Sequence, residues 1–554
     1  MLPEYFSFHL PTKVVYGAGL AGKLADEFGR FGRRKALLVT DRVIAGLGLP
    51  EKIEAGLKGS KVKVVATFDD VPPNSEITTV EACADAGLAA KANMIIAVGG
   101  GSVIDTAKVA NILMKKGGRV ADHQGAQLVT KPLFPLVVVP TTAGTGSEVT
   151  RVAVIADKAN DVKLPFTEDF LQPDLAVLDP EITATMPPRI TGATGMDALT
   201  HAIEAYLDTE WSPASDAMAL QAIQMIGRNI LVAAAHPDDM EARGQMLAAS
   251  CLAGIAFSHS MVGIVHGIAH SLGGVYGVAH GEANALILPY GMEHNLTSST
   301  ERLADVALAL GGPQMPTPAL TARMGILKVR LLSRKLAYLK ALPANLEKAG
   351  IGDGLARLDQ VVETAMVDGS MLYNPCQVKA EAVEDIVRRA YKQPSFPLPV
   401  SRSRLKRAAQ RARAREVRNA YKDTDDLYDV LGGFLLTLKD HPEIGPKFAD
   451  SNLLIRFNYR NPDASITIDA TGAEVEYDMG ESPRTAEVEM TMDADFAHAF
   501  WHGKANVVSA LTRRQVTSRG AVQKAVKLLP ILKPAFQLYP EYLRGKGLER
   551  LVVS

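Results

Sequence analysis

Cysteine is scarce in this chain. Cys83, Cys251 and Cys376 are its only three, far apart and without C-x-x-C spacing, which excludes a disulfide framework and a thiolate metal knuckle. A reducing, cytoplasmic setting is therefore expected. Charge of one sign is also lacking: 60 Lys and Arg offset 61 Asp and Glu, for a formal net charge of −1. No global field favours nucleic acid, acidic ligands or a membrane surface, so partners have to be argued from local sites. The N-terminus, MLPEYFSFHLPTKVVYG, lacks a basic region followed by an apolar core, and no signal peptide is expected. Long apolar runs free of ionisable groups are missing too. The nearest approach, Ala248 to Ala279, carries His259, His266 and His270, which are costly in lipid. It reads as a helix pair buried in a large domain, and no transmembrane segment is expected.

What is present is alternation. KALLVTD (Lys35–Asp41), KVKVVATF (Lys61–Phe68), MIIAVGGGS (Met94–Ser102) and FPLVVVPTT (Phe134–Thr142) read as buried strands, separated by amphipathic segments such as SVIDTAKVANILMKK. That pattern predicts an α/β fold with a doubly wound parallel sheet, whose ligands sit at the carboxyl ends of the strands. After DPEITATMPPR the strand pattern stops and helical pattern takes over. The expected organisation is a doubly wound α/β domain at 1–188, an all-α domain at 189–394, a basic, Pro-containing linker at 395–422 and a small α+β module at 423–554. In the linker, Arg402 to Arg418 holds eight basic residues against Glu416 and no interleaved aromatics, which favours a solvated helical linker over nucleic-acid contact. In the last section Ile455, Phe457 and Tyr459, Ile466 and Ile468, Val475 and Tyr477, and Val488, Met490 and Met492 alternate with polar residues. A period of two marks strands with one buried face. DADFAHAFWHG and AVQKAVKLLPIL read as flanking helices.

Two glycine-containing turns follow two of the strands. Gly99, Gly100 and Gly101 lack Cβ atoms and let backbone approach a pyrophosphate, while Ser102 and the first free helix amides face the anion. PTTAGTGSEVT adds hydroxyls from Thr141, Thr142 and Thr145 after the next strand. Together they point to a nucleotide in one crevice. Asp41 ends the first strand, where a carboxylate accepts from a ribose diol and repels a 2′-phosphate, favouring NAD over NADP. A turn Asp is the plain alternative.

GATGMDALTHAIEAY puts Asp197 and His201 four apart on one helix face, a metal half-site or a local hydrogen bond. The histidines of the chain concentrate between His201 and His294, which favours a metal held by oxygen and nitrogen donors. The further donors come from IVHGIAHSLGGVYGVAH. On spacing alone His266 and His270 are the first choice and His280 the spare, and spacing does not decide between them.

GGGSVIDTAK, PTTAGTGSE, GMDALTHAIEAY and HGIAHSLGGVYGVAHGEANALILP, in that order, resemble the iron-containing (group III) alcohol dehydrogenase family from about Tyr5 to Lys392. The resemblance implies a dinucleotide-binding α/β domain, an all-α metal domain and an active site between them. It implies Asp197, His201, His266 and His280 as metal ligands, and His270 as a nearby proton relay. It places the nicotinamide cofactor against Asp41, Asn74, Gly99, Gly100, Gly101, Ser102, Thr141, Thr142, Thr145 and Lys163, and Val152 and Phe257 at the substrate pocket. Implied with these are Fe2+, with Zn2+ as the tighter-binding competitor, NAD more than NADP, a small alcohol or aldehyde, and a homo-oligomer. Ala279 before the last histidine and LPYGMEHN after it depart from the usual family pattern. Residues from Asp423 to about Tyr542 resemble, through their strand series and DADFAHAFWHGKANVVS, a sterol carrier protein 2-like domain, which implies an acyl chain or sterol as ligand. Two other readings compete: a dehydroquinate-synthase-like lyase using metal and NAD, and a lipid-binding protein whose dehydrogenase part is inactive.

Overall fold

The computed structural model describes residues 3–158, 162–392, 420–472, 474–505, 510, 516–520, 532 and 534–552. The basic stretch at 402–418 and, apart from Leu532, the apolar helix expected at 521–532 lie outside them. The chain divides into two compact units, Met1–Phe396 and Pro397–Ser554.

The first unit is built on a six-stranded sheet in the order Lys13–Tyr16, Leu175–Leu178, Leu136–Pro140, Met94–Gly99, Arg34–Val39, Val62–Phe68. Every neighbouring pair is parallel. Met94–Gly99 and Leu136–Pro140 are buried at every position, as central parallel strands must be when both faces are covered. From Arg34–Val39 the chain moves outward to Val62–Phe68 and returns on the other side at Met94–Gly99. Strand order reverses there, and a crevice opens where Asp41 and Gly99–Ser102 stand at the carboxyl ends. The edge strand Lys13–Tyr16 and its inner neighbour Leu175–Leu178, of four residues each, were not anticipated. A smaller three-stranded sheet joins Gly125–Ala126, Val162–Thr167 and Val152–Asp157, the last two as an antiparallel hairpin.

The helix Gly101–Lys116 (α1) pins the segment after Leu136–Pro140. Asp105 Oδ1 accepts from Ser147 Oγ (2.7 Å) and Oδ2 from Val154 N (3.0 Å). One turn on, buried Lys108 reaches Ser147 Oγ, Thr150 O, Thr150 Oγ1 and Val152 O at 2.8–3.1 Å. Burial pulls the Lys108 ammonium down to about 8 and pushes the nearby Glu148 carboxyl up to about 7.

From Pro188 the unit is helical: Pro188–Leu207 (α2), Pro213–Ala235 (α3), Met240–Ser260 (α4), Ile264–Tyr276 (α5) and His280–His294 (α6). Alanines such as Ala198, Ala202, Ala219 and Ala222 are fully buried, so these helices approach closely. By length and composition α3 is apolar enough to cross a membrane, as is the pair α4 and α5 taken together, which is bent by 102°. In the fold α3 sends Ile223, Ile226 and Ile230 into the core it shares with α2 and α4. Each such isoleucine contributes roughly 1.5–3 kcal/mol, which accounts for its apolar character. Gly146, at φ 62°, sits on Gly254 of α4: a Cβ on Gly146 would stand 2.5 Å from the Gly254 Cα. That backbone contact clamps the Thr141–Thr150 turn onto the helical part.

The second unit has a five-stranded sheet in the order Glu476–Met479, Ala464–Asp469, Leu454–Arg460, Val488–Asp493, Thr517–Gly520. Val488, Met490 and Met492 are buried and their neighbours are not, the alternation expected of a one-faced strand. Leu427, Phe434, Leu435 and Leu438, Trp501 of the helix Ala494–Trp501 (α7), and Tyr539 and Leu543 of the helix Ala535–Gly545 (α8) complete its core. Ala420 and Tyr421, which composition assigns to the linker, are buried in this core as well.

Candidate active site

A cavity of about 250 Å³ in the first unit collects residues from both of its parts. Gly101 and Ser102, the first residues of α1, line it together with Thr145 of the second glycine turn and Asn74. The two turns touch, since a Cβ on Gly101 would stand 2.7 Å from Thr145 Cγ2. Asn74, in the left-handed region at φ 57°, donates its amide to Ser102 Oγ (3.1 Å). Val152, Val154 and Lys163 of the small hairpin line it as well, as do Phe257 and Val262. Asp197, His201, His266, His270 and His280 belong to the same lining.

Of the other residues singled out in the sequence, Thr141 is buried and donates its amide to the carbonyl of Gly99. Thr142 lies against Gly100. Asp41 is not in the cavity wall; it caps the helix Arg42–Gly46, its Oδ1 accepting from Val43 N and Ile44 N at 2.9 Å. Its other oxygen makes neither of these bonds.

Asp197, His201, His266 and His280 each offer one donor atom within 4.8 Å of the others, a group able to hold a metal ion. His270 is outside this group of four. Asp197 and His201 are stacked one turn apart on α2. His266 comes from the first turn of α5. His280 opens α6, reached through Gly277, which ends α5 in the left-handed conformation. His280 Nε2 is 3.4 Å, and His266 Nε2 3.9 Å, from Asp197 Oδ1. His201 stacks between the rings of Phe257 (4.3 Å) and His266 (4.5 Å).

Among the described residues, His201 Nδ1, His266 Nε2 and His280 Nδ1 are buried without a hydrogen-bond partner. Burial first, then neighbouring imidazoles, hold His201 well below the usual histidine range; burial, His270 and Lys163 do the same to His280. Burial pushes the Asp197 carboxyl up, against the pull of His266 and Asn284. Neutral imidazoles with idle lone pairs around a buried carboxylate short of counter-charge are the donor set a divalent cation requires. The residues present fit such an ion.

Partners outside the group of four steady it. Asn284, one turn after His280, donates to Asp197 Oδ1 (2.6 Å) and lies 3.1 Å from His280 Nε2. His270 Nδ1 donates to Asp368 Oδ2 (2.9 Å), and Asp368 Oδ1 accepts from Ser370 N (2.9 Å). Burial would raise Asp368, but the bonds from His270 and Ser370 outweigh it and hold the carboxyl below the usual range. Burial lowers His270, against Asp368, and lowers Lys163, against Asp368, Asp197 and Asp105. Sequence reasoning missed Asp105, Lys108, Asn284 and Asp368. Asn284 had a signal, being four residues from His280 on a helix, and so did Asp105 and Lys108 on α1. Asp368 had none, at 98 residues from its partner.

Residues 11–180 match the family described as iron-containing alcohol dehydrogenase, and residues 191–391 match its C-terminal part, described as Fe-containing alcohol dehydrogenase family, C-terminal. The chain is 38% identical over 305 residues to NAD-dependent methanol dehydrogenase of Bacillus methanolicus, covering 55% of this chain and 80% of that protein. It is 40% identical over 300 residues to long-chain-alcohol dehydrogenase 1 of Geobacillus thermodenitrificans (strain NG80-2), covering 53% and 75%. The solved structure of a 1,3-propanediol oxidoreductase superposes with a TM-score of 0.66 at 34% identity, covering 70% of this chain and all of that one.

Proposed function

The chain belongs to the iron-containing alcohol dehydrogenase family, and from that premise we propose a reversible, NAD-linked dehydrogenase that interconverts a primary alcohol and its aldehyde. The observation that carries this reading is the convergence of Asp197, His201, His266 and His280 in one cavity that Gly101 and Ser102, the first residues of α1, also line.

A divalent iron, or zinc, held by these four residues supplies Lewis-acid character toward an alcohol or carbonyl oxygen. The chain does the rest. Burial keeps His201 and His280 neutral, so their lone pairs are available at ordinary pH. Gly101 and Ser102, at the start of α1, bind the pyrophosphate of NAD through free amides, with the Thr145 hydroxyl beside them. Asn74 and Lys163 line the cavity between that turn and the metal cluster and orient the nicotinamide end. Thr141, Thr142, Gly99 and Gly100 shape the turns from behind, and Asp41 selects the ribose diol over a 2′-phosphate. Val152, Val154, Phe257 and Val262 exclude water and suit an unsubstituted alkyl group better than a diol. His270 donates from Nδ1 to Asp368, which leaves Nε2 with a lone pair to take up a hydroxyl proton and pass it on.

For the second unit we infer a sterol carrier protein 2-like domain that holds an acyl chain or sterol. In support, its sheet and helices enclose a core rich in Met, Phe, Tyr and Trp. Tethering such a domain to a dehydrogenase raises the local concentration of a long-chain alcohol or aldehyde.

The test is an NAD-linked activity screen over primary alcohols of graded chain length, with metal analysis of the same sample. NADH formation that is lost on chelation and restored by Fe2+ or Zn2+ is expected; protein that turns over none of the series sinks the reading. Deleting the residues after Arg418 is expected to raise KM for long-chain alcohols and leave short-chain ones unchanged. An equal effect on both removes the lipid-holding role.

A further inference from the structure

We propose that Glu204 is a positioning residue, which selects the imidazole nitrogen that His266 turns toward the metal cluster and anchors the helix that presents it. The inference rests on the metal half of the reading above. Glu204 follows Asp197 by seven residues and His201 by three on α2, so all three share one face of that helix. Its side chain is buried. Glu204 Oε1 accepts from Val265 N at 2.7 Å, and Oε2 from both His266 N at 3.3 Å and His266 Nδ1 at 2.6 Å. Next to it, Asn374 Oδ1 accepts from Ile264 N at 3.3 Å, and Asn374 is held by a reciprocal amide pair with Asn295, 2.9 Å in each direction.

These contacts do two things at once. The first amides of a helix have no partner within it, and the first three of α5 are satisfied here by Asn374 and Glu204. A carboxylate can only accept, so the proton of His266 is on Nδ1 and the lone pair is on Nε2. That is the nitrogen left without a partner, 3.9 Å from Asp197 Oδ1. One carboxylate on the helix of Asp197 and His201 thus registers both the backbone and the tautomer of a donor 62 residues further along the chain. Outer carboxylates of this kind orient metal-ligating histidines and raise their basicity. In Glu204→Gln one bond must fail. An amide that keeps Val265 turns its NH2 toward Nδ1, which favours the tautomer with a proton on Nε2.

The experiment uses the full-length chain stripped of metal, titrated with Zn2+ against a chromogenic chelator and with Co2+ followed by its visible absorption bands. Glu204→Gln is expected to weaken Zn2+ binding about 10- to 100-fold and to alter the Co2+ spectrum, with NAD affinity and far-UV circular dichroism unchanged. Glu204→Asp, which restores the carboxylate at shorter reach, is expected to recover part of the affinity and serves if Glu204→Gln does not fold. Wild-type affinity in Glu204→Gln, or equal losses in the Gln and Asp variants, overturns the inference. A wild-type chain that takes up neither metal overturns the metal reading and this inference with it.

Discussion

Each unit of this protein buries a group of histidines, and the two groups are wired in opposite ways. In the first unit His201, His266 and His280 converge with one nitrogen each left without a partner. In the second, His498 is satisfied at both ends of its ring. Its Nε2 donates to Leu551 O (2.9 Å), so its Nδ1 accepts from Tyr539 OH (3.0 Å), and Tyr539 in turn is 3.0 Å from Tyr421 OH. His502 Nδ1 donates to the carbonyl of His498 (2.9 Å). Both groups are buried and both contain imidazoles held below the usual range by burial. Burial and depressed basicity are therefore common to a chemical site and a structural one. What separates them is convergence: three rings, each with an unpartnered nitrogen, gather round one buried carboxylate, whereas an unpartnered nitrogen by itself, as on His236 Nε2 and His294 Nε2, marks no cluster.

The largest effects that test this contrast belong to the first unit. His280→Ala, which deletes a donor, is expected to strip the metal and abolish alcohol oxidation, whereas His270→Ala keeps the metal and slows turnover by about 10²- to 10⁴-fold, the usual range for a lost acid or base. Metal analysis beside kcat on the same preparations decides it. Retention in His280→Ala with loss in His270→Ala would reverse the two assignments. Asp368→Asn weakens the hold on His270 and removes a charge that supports Lys163, and about a tenfold drop in kcat at unchanged metal content is expected, roughly one hydrogen bond's worth.

In the second unit the effects should be on stability alone. His498→Phe removes the side-chain partner of Leu551 O and one of the two partners of Tyr539 OH and is expected to cost about 1–3 kcal/mol, read from urea unfolding followed at the second unit. Metal content and short-chain alcohol oxidation should not change, and if they do the contrast fails. The smallest effect is on pH. Burial and the neighbouring His502 hold His498 down to about 4, against about 6.5 when unfolded. Between those values the unfolded chain binds the extra proton, so the stability this group contributes is complete above about pH 6.5 and is lost as pH falls toward 4. The urea midpoint of wild type should drop over that window by more than that of His498→Phe.

How much of this was legible in the chain differs by element. Four adjacent strands of the large sheet were, from Leu136–Pro140 to Val62–Phe68, and the inner ones most plainly, because fully buried parallel strands are short unbroken apolar runs such as MIIAVG and LVVVP. Lys13–Tyr16 was not, since its burial pattern is mostly exposed and its only warrant is its pairing with Leu175–Leu178. Asp197 and His201 share a helix face that spacing reveals; Glu204, three residues on along the same face, was not singled out until its bonds to Val265 and His266 were seen. His266, His270 and His280 stood in one short stretch, yet spacing preferred the pair four residues apart over the pair that clusters with Asp197. A helix of thirteen residues ending at Gly277 intervenes, and the turn that follows brings His280 back.

By itself, the sequence determined which residues can do chemistry and which local elements carry them: glycine turns after strands, an Asp and a His one helical turn apart, histidines gathered in one region. These follow from local geometry, which a period of two or of 3.6 residues encodes. Only the tertiary structure decided which nitrogens stay unpartnered, that Glu204 claims the Nδ1 proton of His266, and that Asp368 reaches His270 across 98 residues. A hydrogen bond is set by distances of a few ångströms between elements remote in the chain, and no spacing within one element contains them.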